Sequence, residues 1–346
     1  MHAQFFTRTF HFRFPAGTSR GVLYSKTSSF LLLKKAGVIA LGECSTIPGL
    51  SPDPEGLYMP KIEEVCQKLN AGILPEDIDL NAFPSIRFGL EVALTDLRNG
   101  GLRILFPSDF TEGKQGIPIN GLIWMGTKDF MNEQINRKLK EGYRCLKMKV
   151  GALDFGTEVQ ILKDIRAKFG PNELEIRLDA NGAFLPENAL SSLETLSEYH
   201  IHSVEQPVKP GQYETLQQIC RYSPIPVALD EELIAYPPEK AKELLREIKP
   251  AYVILKPSLL GGFAVSKQWI DAAGQTDTGW WVTSALESNV GLNAIAQWAF
   301  TLNNPLPQGL GTGQLYHNNI LSPLVIRNSS LWYDADAEWE NITSAQ

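Results

Sequence analysis

The sequence predicts an α/β protein: a barrel closed by parallel strands, preceded by a separate α+β domain. Three observations lead there. The chain has 346 residues, enough for two domains or one large barrel with an attachment. From about residue 117 onward, short β-rich runs alternate with helical stretches, which is the signature of a parallel sheet. The polar residues that close those runs, Lys149, Asp179, Glu205, Asp230, Lys256 and Ser284, are spaced by roughly 25 to 30 residues, about the length of one βα unit. The amino acids themselves do not repeat, so the period belongs to the architecture and not to a copied motif.

Taken in order, residues 4–14, 22–35 and 37–43 read as strands, and 61–69 and 85–98 as helices. Strands followed by helices suggest a separate α+β domain over residues 1–105. Residues 45–56 (STIPGLSPDPEG) are dense in Ser, Pro and Gly and form a loop. It is either a plain surface connection or a segment laid over the mouth of the barrel. The barrel is placed at 106–325. Its strands are read at 117–124, 145–150, 173–179, 203–205, 227–230, 252–256 and 280–284. Helices are read at 129–141, 157–169, 238–248 and 263–273. These runs suggest about eight strand positions. Residues 326–346 are a C-terminal tail, loose beyond Asp334 or packed back on the first domain.

Composition narrows the function. With 43% hydrophobic and 21% charged residues the chain is of ordinary globular composition. Thirty-two Lys and Arg against 39 Asp and Glu give a net charge of −7, which repels a phosphate backbone, so nucleic acid is not an expected partner. No apolar run is long enough to span a bilayer, and residues 1–13 lack the apolar core of a signal peptide, so a cytoplasmic location is expected. Cys44, Cys66, Cys145 and Cys220 are far apart and read as small hydrophobes. Phosphate-binding glycine loops and G-x-S-x-G elbows are absent from the sequence. None of the five histidines falls at the end of a strand, and His200 and His202 read as packing or surface residues.

Active sites of parallel barrels form at the C-terminal ends of the strands. Five consecutive units end there in Lys147-Met148-Lys149, Asp179, Glu205, Asp230 and Lys256. Three converging carboxylates cannot all stay ionised without a cation. With only oxygen donors at hand, Mg²⁺ (or Mn²⁺) is expected over zinc. The alternative is a structural cage in which the carboxylates pair with Lys147, Lys149, Arg177 and Lys256. Lys147 and Lys149 share one strand face about 7 Å apart. At an effective dielectric near 20 they repel by about 2.4 kcal/mol, which predicts a lysine with a lowered pKa, suited to general-base work. Arg177 shares the face of Asp179 and adds positive charge just below. A cation on a substrate carboxylate acidifies the adjacent C–H and stabilises the enediolate left when Lys149 removes the proton. The expected ligand is thus a small-molecule carboxylate.

The K-x-K at Lys147 and Lys149, L-D-A-N at 178–181, V-E-Q-P at 204–207, L-D-E at 229–231 and L-K-P at 255–257 together resemble the muconate-lactonizing subgroup of the enolase superfamily. That resemblance implies a modified (β/α)7β TIM-like barrel with an N-terminal α+β capping domain, with Asp179, Glu205 and Asp230 as Mg²⁺ ligands, Lys149 as the acid/base and Lys256 as the lysine opposite. Asn181 and Glu231 would support them. Within the subgroup, I-P-G-L-S at 47–51, R-L-D-A-N at 177–181 and S-A-L-E-S at 284–288 are similar to the o-succinylbenzoate synthase family, with Ala285 departing from the family's second Ser. The resemblance implies dehydration of 2-succinyl-6-hydroxy-2,4-cyclohexadiene-1-carboxylate to 2-succinylbenzoate in menaquinone biosynthesis, with Arg177, Ser284 and Glu287 as substrate contacts. An N-acylamino acid racemase or dipeptide epimerase on the same scaffold is the first alternative. Dipeptide epimerases usually carry D-x-D where Ser284 to Leu286 stand here. A catalytically silent metal-binding barrel is the second.

Overall fold

The computed structural model describes residues 1–18, 21–151 and 153–342. The first part holds β1 (His2–Thr18), β2 (Gly21–Lys35), β3 (Val38–Ser45), α1 (Glu55–Asn70) and α2 (Pro84–Arg98). The three strands form one antiparallel sheet in the order β1-β2-β3. Phe30, Leu31, Leu32 and Leu33 are all fully buried, so β2 lacks the alternation of a half-exposed strand. The cause is burial on both faces. Leu31 and Leu33, with Ala3, meet Ile62, Val65 and Leu69 of α1 and Ile86 and Leu90 of α2. Phe30 and Leu32, with Phe6 and Phe10, meet Val290, Leu315, Tyr316 and Ile320 from the second part. Helix α2 lies directly on β3: a Cβ at Gly42 would stand 1.9 Å from the Gly89 carbonyl oxygen. Only glycine admits that approach.

The second part runs β4 (Ile117–Pro118), β5 (Gly121–Ile123), α3 (Lys128–Lys140), β6 (Cys145–Lys149), α4 (Phe155–Arg166), β7 (Glu175–Asp179), α5 (Ala189–Ser197), β8 (Ser203–Glu205) and α6 (Tyr213–Tyr222). It continues with β9 (Val227–Leu229), α7 (Ala241–Ile248), β10 (Tyr252–Leu255), α8 (Pro257–Leu260), α9 (Phe263–Gly274), β11 (Gly279–Val282), α10 (Asn289–Thr301), β12 (Leu324–Arg327) and β13 (Ser330–Tyr333). Strands β5 to β11 form a seven-stranded sheet in chain order, and every pair in it is parallel. Leu146, Met148, Ile176, Leu178, Val204, Leu229, Val253 and Leu255 pack with helix residues such as Ile161, Leu193, Leu216 and Leu244 in one large core. Period-two alternation then turns the intervening residues inward.

An eighth strand of ordinary length is not formed among the described residues. Its place is taken by Gln308 and Gly309, which make isolated parallel bridges to Ile119 on one side and Thr283 on the other. Gln308 N–H donates to the Pro118 carbonyl and Gly309 N–H to the Val282 carbonyl, both at 2.8 Å. The barrel is thus closed by two residues. Gly309 is required there because a Cβ would meet Thr283 Oγ1 at 2.4 Å. The hairpin β12-β13 adds to β4 as a small antiparallel sheet, so it crosses the proposed division at residue 326. Farther on, Glu340 pairs with Arg8 at 2.6 Å and Ile342 is buried against the first sheet, so the described tail packs on the cap. Residues 343–346 of that tail lie outside the described residues.

Candidate active site

Strand register builds the site. Lys149 pairs with Asp179 across β6 and β7, and Asp179 with Glu205 across β7 and β8, so three charged side chains occupy one level of the barrel. Asp230 follows β9 directly and Lys256 follows β10. β6 and β10 are four positions apart in a ring of eight, so Lys149 and Lys256 enter from opposite sides. Lys147, Asp179, Glu205 and Asp230 are buried, whereas Lys149 and Lys256 keep 12% of their side-chain surface. A cavity of about 110 Å³ opens above them. Lys147, Lys149, Asp179, Asn181, Glu231 and Lys256 form its polar floor, and Ile47, Pro48, Leu50, Ala285 and Leu286 an apolar wall. The 45–56 loop therefore does reach the mouth of the barrel.

Ammonium groups bridge the carboxylates in turn. Lys147 Nζ lies 3.0 Å from Asp179 Oδ2 and 2.6 Å from Glu205 Oε2, and Lys149 Nζ lies 3.1 Å from the same Asp179 oxygen. Lys256 pairs with Asp230 and stands 4.0 Å from Glu205. Lys149 also donates to Asn181 Oδ1, and Asn181 Nδ2 donates to Glu231 Oε1 at 2.9 Å, so Asn181 and Glu231 are tied to the lysine. Burial alone would lower the Lys147 pKa. The charges of Asp179, Glu205 and Asp230 outweigh it and hold the ammonium above its usual value. This corrects the expectation that repulsion from Lys149 dominates: at Lys147 the summed attraction of three carboxylates prevails. Asp179 is held well below the usual carboxylate range, its burial overcome by Lys147 and Lys149. Glu205 goes the other way, pushed up to about 8 by burial and by Asp179 against the pull of Lys147.

Among the described residues, no three Asp, Glu, His or Cys side chains are already gathered as a metal cage. The carboxylates are instead spaced by the lysines between them. The donor set nevertheless fits a hard divalent ion. It is all oxygen, it stands at the C-terminal ends of the adjacent strands β7, β8 and β9, and Glu205 is short of positive charge, which an added cation would supply.

That shortfall sets a pH dependence. Because the folded chain holds a proton on Glu205 up to about 8 and the unfolded chain releases it near 4.5, stability of the metal-free protein falls as pH rises between those values. The shifts of Asp179 and Lys147 exert their effects below and above this window. Glu205→Gln is expected to flatten the decline, which is at most about 1.4 kcal/mol per pH unit for one group. Melting temperatures of the metal-free proteins between about pH 5 and 8 test this; parallel slopes for both would contradict it.

Two expected substrate contacts are not in the cavity wall. Arg177 does face the barrel interior, but one layer below Asp179. Its Nε donates to Glu175 at 2.7 Å, its Nη1 to the Pro307 carbonyl at 2.8 Å, and its guanidinium lies 4.2 Å from the centre of the Trp281 ring. Alternation gave that face and that position just below Asp179; only the contact with substrate finds no place in the lining. Glu287 is fully buried and turned away, accepting from Ser258 Oγ and from the Ala285 amide. Ser284 does line the cavity, with its hydroxyl 2.6 Å from that of Thr312. Residues not anticipated include Asn120, Leu122, Trp124, Thr283 and Thr312, all in the lining. Gln206 was also missed. Its Oε1 accepts from the amides of Asp230 at 3.2 Å and Glu232 at 3.1 Å, fixing the end of β9, and its place beside Glu205 in V-E-Q-P was the only sequence signal.

The capped barrel and its ring of carboxylates and lysines define a member of the enolase superfamily, and the family model described as "Enolase C-terminal domain-like" matches residues 131–334. The o-succinylbenzoate synthase of Desulfotalea psychrophila is 47% identical, over 91% of this chain and 94% of that protein. The chain belongs to the o-succinylbenzoate synthase family, lyases of that superfamily. The crystal structure of MenC from Desulfotalea psychrophila LSv54 superposes with a TM-score of 0.84 at 42% identity, covering 96% of this chain and 99% of that one. The dipeptide epimerase from Enterococcus faecalis V583, crystallised with Mg and the dipeptide L-Leu-L-Tyr, has a TM-score of 0.83 at 19% identity, covering 96% of each chain, and shares the fold.

Proposed function

We propose that the chain converts 2-succinyl-6-hydroxy-2,4-cyclohexadiene-1-carboxylate into 2-succinylbenzoate by syn loss of water, a step of menaquinone biosynthesis. Entry of Lys149 and Lys256 from opposite sides of one carboxylate-lined cavity carries the reading. Asp179, Glu205 and Asp230 would hold Mg²⁺, whose charge, when bound, neutralises the substrate carboxylate and makes the neighbouring C–H acidic. The epimerase of the same fold that was crystallised with Mg supports that choice of ion.

The remaining work falls to the chain's own side chains. Lys149, as the free amine, takes the proton from the carbon next to the carboxylate. As the ammonium it then returns that proton to the departing hydroxyl, so water leaves from the same face and the ring becomes aromatic. Asn181, braced by Glu231, aims the Lys149 nitrogen. Lys147 stays an ammonium and keeps Asp179 and Glu205 at a fixed separation. The carboxylates of Asp230 and Glu205 also raise the Lys256 pKa despite burial, so it presents a standing positive charge to the anionic ring rather than a base. The loop after β11 offers no carboxylate to a substrate ammonium, since its one acid, Glu287, is occupied elsewhere. That favours dehydration over epimerisation.

Formation of the aromatic product from the cyclohexadiene, followed with and without Mg²⁺, tests the reading. Turnover should require the metal. Lys256→Ala should retain more activity than a Lys149 variant, losing about 10² in kcat, because only charge stabilisation is removed. Deuterium exchange at an amino-acid α-carbon that depends equally on both lysines, with no dehydration, would establish the racemase instead.

A further inference from the structure

Leu286 is a wall residue of the cavity held in the left-handed region, at φ 62°, which a branched side chain seldom adopts. Such a conformation persists only where its surroundings over-determine it. Two donors converge on its carbonyl oxygen. Lys26 Nζ donates at 2.8 Å and Tyr316 Oη at 2.7 Å. Neither belongs to the loop itself. Lys26 is on β2 of the capping sheet, and Tyr316 packs against Phe10 and Phe12 of β1, with ring centres 5.3 and 4.7 Å away.

The Lys26 side chain is buried and also donates to Ser45 Oγ. Glu43, in β3, accepts from the Ser288 amide at 2.9 Å, its hydroxyl at 2.5 Å and the Gly291 amide at 2.9 Å, and so seats the start of α10. Glu287 holds the Ala285 amide at 2.7 Å. Burial lowers the Lys26 pKa against the opposing pull of Glu43 and Glu287. Within the loop from Ser284 to Ser288, Ala285, Leu286 and Ser288 are thereby each held, and the capping domain supplies contacts to Leu286 and Ser288. The apolar wall is built across the same joint: Ile47 and Leu50 of the cap cluster with Leu259, Ala285 and Leu286 of the barrel.

We propose that Lys26 is a positioning residue that, together with Tyr316, pins the Leu286 carbonyl and so fixes the apolar wall against which the substrate is held. The inference rests on the dehydration reading for its substrate, and on geometry alone for the clamp. Its effect belongs to binding, since neither residue lines the floor where protons move.

The test compares Lys26→Met and Tyr316→Phe with wild type in the dehydration assay, together with amide hydrogen exchange over residues 284–291. Tyr316→Phe removes one hydroxyl and keeps the ring packing, so it serves even where Lys26→Met fails to fold. KM is expected to rise about tenfold in Lys26→Met and about threefold in Tyr316→Phe, with kcat within about threefold of wild type. Exchange should quicken in the 284–291 segment while the rest of the barrel is unchanged. In a Leu286→Gly background, where glycine adopts the left-handed backbone unaided, the Lys26→Met effect on exchange should shrink. Unchanged KM in the folded variants, uniform loss of protection, or full additivity with Leu286→Gly would overturn the clamp. A wild type that fails to turn over the cyclohexadiene refutes the dehydration reading alone, because the exchange measurement still reads the clamp.

Discussion

Lys149→Ala is expected to lower kcat by at least about 10³ while leaving magnesium binding nearly intact. The magnitude follows from the double duty of one nitrogen. Syn elimination needs a base for the C–H and an acid for the hydroxyl on the same face, and the proposed function gives both tasks to Lys149, whose nitrogen is located by Asp179 at 3.1 Å and by Asn181. Alanine removes both functions at once. Asp179 keeps its partner Lys147 at 3.0 Å, so the carboxylate arrangement should survive. Single-turnover measurement of product formation, with a parallel magnesium titration, separates the two properties. Residual activity equal to that of Lys256→Ala would contradict the assignment of roles, since a charge placed over the ring is a smaller contribution than the proton carrier.

Asp230→Asn is expected to weaken magnesium binding by at least about 10² and to abolish turnover at ordinary metal concentrations. The replacement preserves shape, and its backbone amide keeps the bond to Gln206 Oε1, so folding should not be the variable. What is lost is one of three negative charges. The metal-free variant should be no less stable than wild type, because burial raises the pKa of Asp230 and its ionised form is costly. Added Mg²⁺ should then raise the melting temperature of wild type much more than that of the variant. Equal gains would show that Asp230 is not a ligand and would leave the carboxylate ring as a lysine-paired structural cage.

Much of this site was legible because it is local in the chain. A polar residue that closes an apolar run in a βα unit stands at a strand's C-terminal end, whatever the rest of the molecule does. Lys149, Asp179, Glu205, Asp230 and Lys256 were all found that way, and β8 was placed to the residue at Ser203–Glu205. Arg177 shows the limit of the same rule. Its two-residue offset from Asp179 gives the correct face and the position just below, yet it does not line the cavity, because Glu175, Pro307 and Trp281 hold its guanidinium there. Glu287 fails for a related reason, since its partners Ser258 and Ala285 are set by how α8 meets the loop after β11.

The sequence by itself determined the class of fold, the alternation of strands and helices and the charged residues that end the strands, because alternation and the βα period are short-range properties that survive without knowledge of packing. Tertiary structure alone decided the rest. It closed the barrel with Gln308 and Gly309, raised the Lys147 pKa where pairwise repulsion had pointed the other way, and brought Lys26 across from the cap to Leu286. Each of these depends on the summed field or the contact of segments far apart in the chain, and such quantities are fixed only when the whole core has condensed.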